Sequence, residues 1–255
     1  LKRADIGVVV GEASEVAKET ADMVLLDSNF ETILASVEEG RGIFENIKKV
    51  VLYLLSDSFT EVILIGGSLL LGLPVPVLAV QILWINLVED GLPGIALAFE
   101  PKDEGLMKEP PRPKGSPIID KELKILIFVI GFITDLALFG IFLILLKLEF
   151  PLKYVRTMVF AALAMDSLLY VFSCKTLRKN LWHEHLLSNK FLVFSVLISL
   201  SLLLVGIYSP LANQLLKTIP LSIRSWILLV SLGLVDVVAI EGVKFLFLKK
   251  KKFSN

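Results

Sequence analysis

The chain has 255 residues, of which 55% are hydrophobic, and its mean hydropathy is +0.76. This composition excludes an ordinary soluble domain and indicates a membrane protein, with the lipid bilayer as its main partner. Acidic and basic residues balance at 26 each, so the net charge predicts no nucleic-acid partner. The single cysteine, Cys174, excludes an intramolecular disulfide framework.

The first 40 residues have the pattern of soluble α/β sequence. Apolar runs at 6–11 and 23–26 predict two buried strands, and residues 14–21 predict a short amphipathic helix between them. A helical pattern starts at Phe30 and continues into the first apolar stretch. Because so small a unit cannot bury its own core, and because the chain starts without Met, we expect it to begin inside a larger protein.

Six apolar stretches follow, each about as long as a helix that crosses a bilayer. We predict a mainly α-helical polytopic membrane protein with six transmembrane helices. Six spans place the two ends of this region on one side of the membrane. The predicted spans are 50–73, 77–99, 125–146, 158–174, 191–208 and 226–248.

The basic residues indicate which side is cytoplasmic. Most of them fall on the side that holds both ends of the chain, and the positive-inside bias makes that side cytoplasmic. The proline-rich loop 101–121 then lies there too. Lys147, Lys153 and Arg156 fall on the opposite side and weaken the bias. The residues that set the orientation are Lys48, Lys49, Lys175, Arg178, Lys179, Lys190 and Lys249–Lys252.

Acidic residues lie inside five of the six predicted spans. A charged group at the middle of a membrane costs about 2.5–3.5 kcal/mol. No Lys or Arg lies at a depth that could neutralise the acids of the first two spans. These groups are therefore either protonated or facing a polar cavity that binds cations. The acidic residues are Asp57, Glu61, Glu89, Asp90, Asp135, Asp166, Asp236 and Glu241.

The spacing in the first two spans favours cation binding. Glu61 follows Asp57 by four residues and Ser58 by three. In the second span, Glu89 follows Asn86 by three residues and Asp90 follows it by four. Each set therefore shares one face of a helix. Calcium binds six to eight oxygen ligands of this kind, and the absence of His and Cys disfavours a soft metal.

Three further features complete the prediction for the spans. The sequence Gly-Leu-Pro-Gly at 91–94 directly follows the second carboxylate pair, so we predict that it interrupts the helix and exposes carbonyls as ligands. Asp135 and Asp236 stand alone in their spans and are interpreted as structural hydrogen-bonding groups. Glu241 and Lys244 are predicted to form an i,i+3 pair.

Three long stretches resemble one known family. They are ADIGVVVGEASEVAKETADMVLLDSNFETI, VEEGRGIFENIKKVVLYLLS and QILWINLVEDGLPGIALAFEP. They are similar to the C-terminal part of type II P-type cation-transporting ATPases, above all the calcium pumps of the sarcoplasmic-reticulum type and their bacterial relatives. The resemblance is strong over residues 4–120 and mainly topological beyond them.

The resemblance implies a domain organisation and an activity. Residues 1–40 would end a HAD-like phosphorylation domain, 41–49 would form a stalk, and 50–255 would hold the fifth to tenth helices of an ATP-driven pump. The pump would move cations, Ca²⁺ first among them, across a plasma membrane, and its N-terminal part would be a partner of this chain. The loop at 109–117 would relay the state of the phosphorylation domain. The chain contains neither Asp-Lys-Thr-Gly nor Gly-Asp-Gly-x-Asn-Asp, so we expect the sites for ATP and Mg²⁺ outside it.

The resemblance also implies roles for single residues. Glu61 matches a carboxylate ligand, Asn86 an amide ligand, and Asp90 the carboxylate shared between ions. Asp166 lies near an acidic ligand of the family's eighth helix.

The sequence departs from the calcium-pump pattern at two places. Ser58, with Asp57 beside it, stands where the calcium pumps have an amide, and Glu89 stands where they have a threonine. The site is therefore more acidic than the family pattern. Ca²⁺ remains the first expectation, and Mn²⁺, Mg²⁺ and proton-coupled exchange stay open.

Two other functions fit parts of the pattern. A passive or secondary transporter of six spans could use the same acidic cluster without ATP, although the α/β segment at 1–40 would then have no purpose. An inactive fragment that lacks the catalytic domains is the second alternative. The retention of the whole set of candidate ligands argues against decay.

Overall fold

The structure is a computed structural model. It describes residues 1–253 apart from 104, 109, 114, 178 and 184, and it leaves out the side chains at 129, 130, 133, 134 and 247–253. Arg178 and the side chains of Lys249–Lys252, which were used to predict the orientation, lie outside the described residues. Glu109 and Lys114 of the proline-rich loop do so as well.

The chain forms two compact units. The first contains Leu1–Glu45 and Lys102–Arg112, and the second contains Asn46–Pro101 and Pro113–Asn255. One helix, α2 (Phe30–Leu70, 41 residues), contributes residues to both units. Each unit is built from elements of a different kind.

The first unit begins with a strand–helix–strand arrangement. Strand β1 (Val8–Val10) and strand β2 (Met23–Leu25) are parallel, with Val8 opposite Met23, and helix α1 (Glu15–Thr20) connects them. The hydroxyl of Ser14 accepts a hydrogen bond from the amide of Ala17 and caps α1. The structure thus has the strands and the helix where the apolar runs predict them.

The segment 102–112 belongs to the same unit and packs on the first half of α2. Lys102 forms an ion pair with Glu39, and Arg41 donates to the carbonyl of Leu106 over 2.7 Å. The guanidinium of Arg112 lies 4.1 Å from the centre of the Phe44 ring. A short 3₁₀ helix, Leu106–Lys108, lies within this segment.

The second unit is a helical bundle. Five of its described helical segments are long and apolar enough to cross a membrane: Phe30–Leu70, Ala79–Leu97, Leu152–Cys174, Lys190–Tyr208 and Ile223–Leu246. The predicted span at 125–146 coincides with the helix Lys121–Lys147, so the number six stays a prediction. The short helix Pro210–Leu216 was not predicted. The elements after α2 are α3 (Ala79–Trp84), a π-helical segment (Ile85–Asp90), α4 (Gly91–Leu97), α5 (Lys121–Lys147), α6 (Leu152–Cys174), a 3₁₀ turn (Leu181–His183), α7 (Lys190–Tyr208), α8 (Pro210–Leu216) and α9 (Ile223–Phe253).

Helix α6 is the centre of the bundle. Within its membrane-crossing part 72% is buried, compared with 33% in α7, and α6 packs against α5, α7, α9 and the π-helical segment. One apolar cluster gathers Phe142, Phe160 and Leu203, and a second gathers Tyr53, Leu97 and Val171. Because lipid is as apolar as these side chains, close packing and hydrogen bonds hold the helices together.

A buried group of polar side chains joins one end of α4 to α6 and α7. The ammonium of Lys175 lies 3.5 Å from Oε1 of Glu100 and also donates to the carbonyl of His185 and the hydroxyl of Ser188. The amide of Asn189 donates to Oε2 of Glu100 over 2.8 Å, and that of Asn46 to the backbone carbonyl of Glu100 over 2.8 Å.

Glu100 is the central acceptor of this group. Burial raises the pKa of its carboxyl, while Asn189, Lys175 and Lys49 act in the opposite direction. Lys175, predicted as a topology signal, is thus fully buried and paired with this carboxylate. The predicted pair of Glu241 and Lys244 is confirmed, with 2.7 Å between its charged atoms.

We predict that Lys175→Met destabilises the protein by about 3–5 kcal/mol, because it leaves a buried carboxylate with one cationic partner fewer. Lys190→Met removes an exposed charge from the start of α7 and should change stability by no more than about 0.5 kcal/mol. Thermal unfolding of the detergent-solubilised variants measures both. The double variant Lys175→Met/Glu100→Gln should recover part of the loss, and equal stability of the two single variants would contradict the assigned role.

Candidate cation-binding site

The second predicted span stays helical through the Gly-Leu-Pro-Gly sequence. Residues 91–94 lie in α4, and the irregular part is the π-helical segment just before them. The prediction that these residues unwind the helix is therefore wrong. Pro93 has no amide hydrogen, and its ring crowds the preceding turn. The helix forms a wider π-helical turn, with about one residue more than an α-helical turn, and does not unwind.

The carbonyls released by Pro93 are satisfied by other helices. In a regular or π-helical turn, the amide at position 93 would donate to the carbonyl of Glu89 or Val88. The hydroxyl of Ser199 on α7 donates to the Val88 carbonyl over 2.6 Å, and the hydroxyl of Tyr53 on α2 donates to the Glu89 carbonyl over 3.1 Å. These two carbonyls are thus bonded to protein and do not form the predicted open ligand positions.

Asp90 lies at the centre of the buried carboxylates. Its carboxylate accepts a short hydrogen bond from Ser167 on α6 and lies 3.4 Å from the hydroxyl of Tyr53. It also contacts the carboxyl of Asp57 on α2. Both acids are buried, at 3% and 7% exposure. Three helical segments therefore meet at Asp90.

Tyr53 is held in place by a second tyrosine. The hydroxyl of Tyr170 on α6 donates to the backbone carbonyl of Tyr53, and the two ring centres are 5.1 Å apart. The hydroxyl of Tyr53 also lies 3.1 Å from that of Ser167. Sequence reasoning missed all three of these residues. Tyr53 precedes Asp57 by one helical turn and Ser167 follows Asp166, but only the packing shows that they meet.

Glu61 and Asn86 form the outer part of the group. Glu61 lies one turn after Asp57, is partly buried and stands beside the amide of Asn86, which is exposed. The Oε1 atom of Glu61 is buried and has no hydrogen-bond partner among the described residues. The face shared by Asp57 and Glu61 is thus directed at the segment that carries Asn86 and Asp90, as the spacing predicts.

Asp166 extends the group toward α5 and α9. Its carboxyl contacts that of Asp236 and lies near Asp57, Asp90 and Asp135. Asp135 is fully buried and lies beside the hydroxyl of Thr60 on α2. Its interpretation as a structural hydrogen-bonding group stays a prediction. Asp135 faces the same polar region as Asp166.

Two candidates lie apart from this group. Ser58 is exposed, and its hydroxyl donates to the carbonyl of Leu54 in its own helix over 2.9 Å. Glu89 is fully buried beside Trp84, and its two carboxylate oxygens have no hydrogen-bond partner in the part of the chain that the structure describes. Trp84 in turn packs close to Gly206 of α7. The structure does not bring Ser58 or Glu89 to the contact between Asp57 and Asp90.

The arrangement defines a class of protein before any comparison is made. Carboxylates of α2, the π-helical segment and α6 meet inside a bundle of membrane-length helices, which is typical of proteins that move cations through a membrane. Within the described residues, no three or more His, Cys, Asp or Glu side chains are already arranged to hold a metal ion.

Comparison with known proteins gives the family. The model of the family "Cation transporting ATPase, C-terminus" matches residues 74–246. The chain belongs to this family of cation-transporting ATPases. It is 34% identical to a calcium-transporting ATPase of Bacillus subtilis (strain 168), over 95% of this chain and 27% of that protein.

Other relatives agree. Calcium-transporting ATPase 1 of Bacillus cereus is 37% identical over 96% of the chain, and calcium-transporting ATPase type 2C member 1 of Pongo abelii is 36% identical over 94%. The chain spans 29% and 26% of the length of these two proteins. It thus corresponds to little more than a quarter of its relatives.

We predict that Ser199→Ala destabilises the protein by about 1–3 kcal/mol, because it leaves the partly buried Val88 carbonyl without a donor. Ser201→Ala is the matched control, since that hydroxyl is exposed and bonds within its own helix. The cost of Ser199→Ala should shrink in a Pro93→Ala background, where a regular helix can supply the donor. Urea unfolding of the four variants measures this coupling, and an unchanged cost would contradict the link to Pro93.

Proposed function

We propose that this chain is the C-terminal, ion-binding part of an ATP-driven pump that moves Ca²⁺ across a membrane. The observation that carries the proposal is the contact between the buried carboxyls of Asp57 and Asp90, with Asp166 nearby. Two carboxylates in contact away from water repel each other strongly. A divalent cation between them removes the repulsion and supplies the attraction that offsets their burial.

The proposed site has an inner and an outer part. Asp57, Asp90 and Asp166 form the inner part, and Glu61 with Asn86 forms the outer part, where one ligand is already exposed. Carboxylate and amide oxygens suit a hard cation such as Ca²⁺. Glu89 and Ser58 would join as ligands only after a change of side-chain direction.

The remaining features of the proposal follow from the relatives. Proteins named calcium-transporting ATPases align with nearly the whole chain. We propose that residues 1–40 end a HAD-like phosphorylation domain, that 41–49 form the stalk and that 50–255 form the membrane domain. The parallel strands β1 and β2, joined by α1, support the first of these assignments. The sites for ATP and Mg²⁺ would lie on the N-terminal part of the same pump, both ends of this chain would be cytoplasmic, and the membrane would be the plasma membrane.

The test is the substitution Asp90→Asn in the full-length protein. Because Asp90 is the acid that α2 and α6 both contact, we expect Ca²⁺ to lose its effect on phosphorylation from ATP at concentrations that saturate the wild type. Glu149→Gln, which removes an exposed carboxylate beyond the end of α5, should leave the Ca²⁺ dependence unchanged. The measurement is the amount of acid-stable phosphoenzyme formed from radiolabelled ATP against free Ca²⁺.

Two results would count against the proposal. If phosphorylation of folded Asp90→Asn protein depended on Ca²⁺ as in the wild type, the assignment of Asp90 to the site would be wrong. If Ca²⁺ entered sealed vesicles equally with and without ATP, a passive pathway would replace the pump in this proposal. If Asp90→Asn also abolished that uptake, the assignment of the site would still hold.

A further inference from the structure

A basic cavity lies at the end of the bundle where α2 ends and α3 begins. It has a volume of about 430 Å³ and is lined by Leu78, Lys153, Arg156, Asn213, Gln214 and Lys217. These residues come from the start of α3, the start of α6, and α8 with the residue that follows it. The same Lys153 and Arg156 weaken the positive-inside bias in the sequence, and cation transport gives them no role.

The three cations of this cavity are not balanced by acids. None of the described lining residues is Asp or Glu, and neither Lys153 nor Lys217 forms an ion pair with a described carboxylate. Arg156 is positioned by the bond from its Nε to the Val75 carbonyl, over 3.0 Å. Three positive charges around one concave surface attract an anion, and a planar guanidinium suits a phosphate group in particular.

The backbone conformation at the end of α8 places Lys217 at the cavity. Lys217 follows α8 in the left-handed conformation, with φ of 52°, and so ends that helix at the cavity. Thr218, the next residue, donates to the carbonyl of Gly206 at 2.6 Å, which fixes the turn against α7. The cavity is therefore lined by a defined turn and by the first turn of α6.

The cavity lies at the ends of membrane-length helices, where we expect lipid headgroups. Lys153 is the second residue of membrane-length α6, and Leu78 precedes the membrane-length segment that begins with Ala79. Tyr208 and Trp226, which share a hydrogen bond of 2.7 Å, lie at the same end of α7 and α9 and are typical of a membrane interface. On α8, Leu211 and Leu215 are largely exposed, at 81% and 61%. An apolar exposed face next to a basic cavity suits a molecule with both an acyl chain and an anionic head.

We propose that this cavity binds a phosphate group, and that the phosphate is that of an anionic phospholipid in the adjacent leaflet. Lys153 and Lys217 would hold the phosphate from two sides, with Arg156 as the fixed donor between them. The exposed leucines of α8 would contact the acyl chains. Free phosphate shares the same chemistry, so the two sources must be distinguished by experiment.

The test measures lipid retention by native mass spectrometry of the full-length protein released from detergent. The wild type should retain phosphatidylglycerol in preference to phosphatidylcholine. Lys153→Gln/Lys217→Gln should weaken the retention of phosphatidylglycerol roughly tenfold, because it removes two of the three cations. The matched control is Lys147→Gln/Arg224→Gln, which removes two exposed charges from the same end of the bundle, outside the cavity, and should retain phosphatidylglycerol as the wild type does.

A second arm identifies the source of the phosphate. Retention that depends on Lys153 and Lys217 and that excess inorganic phosphate does not displace would establish the lipid headgroup. Displacement by inorganic phosphate, with phosphate binding also seen without lipid, would establish a site for free phosphate. Equal retention by the cavity variant and the wild type, or an equal loss in the control variant, would overturn the proposal. None of these outcomes depends on Ca²⁺ transport.

Discussion

The absence of an amide hydrogen at Pro93 is the constraint on which the centre of the bundle depends. In a membrane, a backbone carbonyl that loses its helical donor must find another inside the protein. The Val88 carbonyl is satisfied from α7 by Ser199 and the Glu89 carbonyl from α2 by Tyr53. The π-helical segment, which carries Glu89 and Asp90, is thus hydrogen-bonded to two neighbouring helices.

Tyr53 connects this backbone irregularity to the acidic side chains. Its hydroxyl contacts the Glu89 carbonyl, the Asp90 carboxylate and the Ser167 hydroxyl together. Asp57 lies one turn further along the same unbroken helix. An axial displacement of α2 would therefore move the hydroxyl of Tyr53 and the carboxylate of Asp57 together relative to Asp90. In a pump, this is the type of coupling that changes the affinity for an ion when a distant domain changes its state.

The sequence predicted the elements that depend on local pattern. Apolar length indicated the spans, and the four-residue spacing correctly directed Asp57 and Glu61 at the segment of Asn86 and Asp90. Ser58 lies apart from this group because the residue next to Asp57 points about 100° away around the helix. Tyr53 and Ser167 could not be found, since a hydroxyl becomes part of a site only through packing between helices. For the same reason the sequence identified Lys175 as a topology signal and not as the buried partner of Glu100.

Two of the buried groups of charges in the second unit follow opposite rules. At the helix ends, Glu100 faces Lys175 and two amides, so the protein itself supplies the opposite charge and the hydrogen bonds. Around Asp90, acids face acids, and the described donors to its carboxylate are hydroxyls. A hydroxyl can orient a carboxylate but cannot neutralise it, so the balance there must come from a proton or a metal cation. The charge of the first group is balanced within the protein, whereas that of the second requires a bound proton or metal cation.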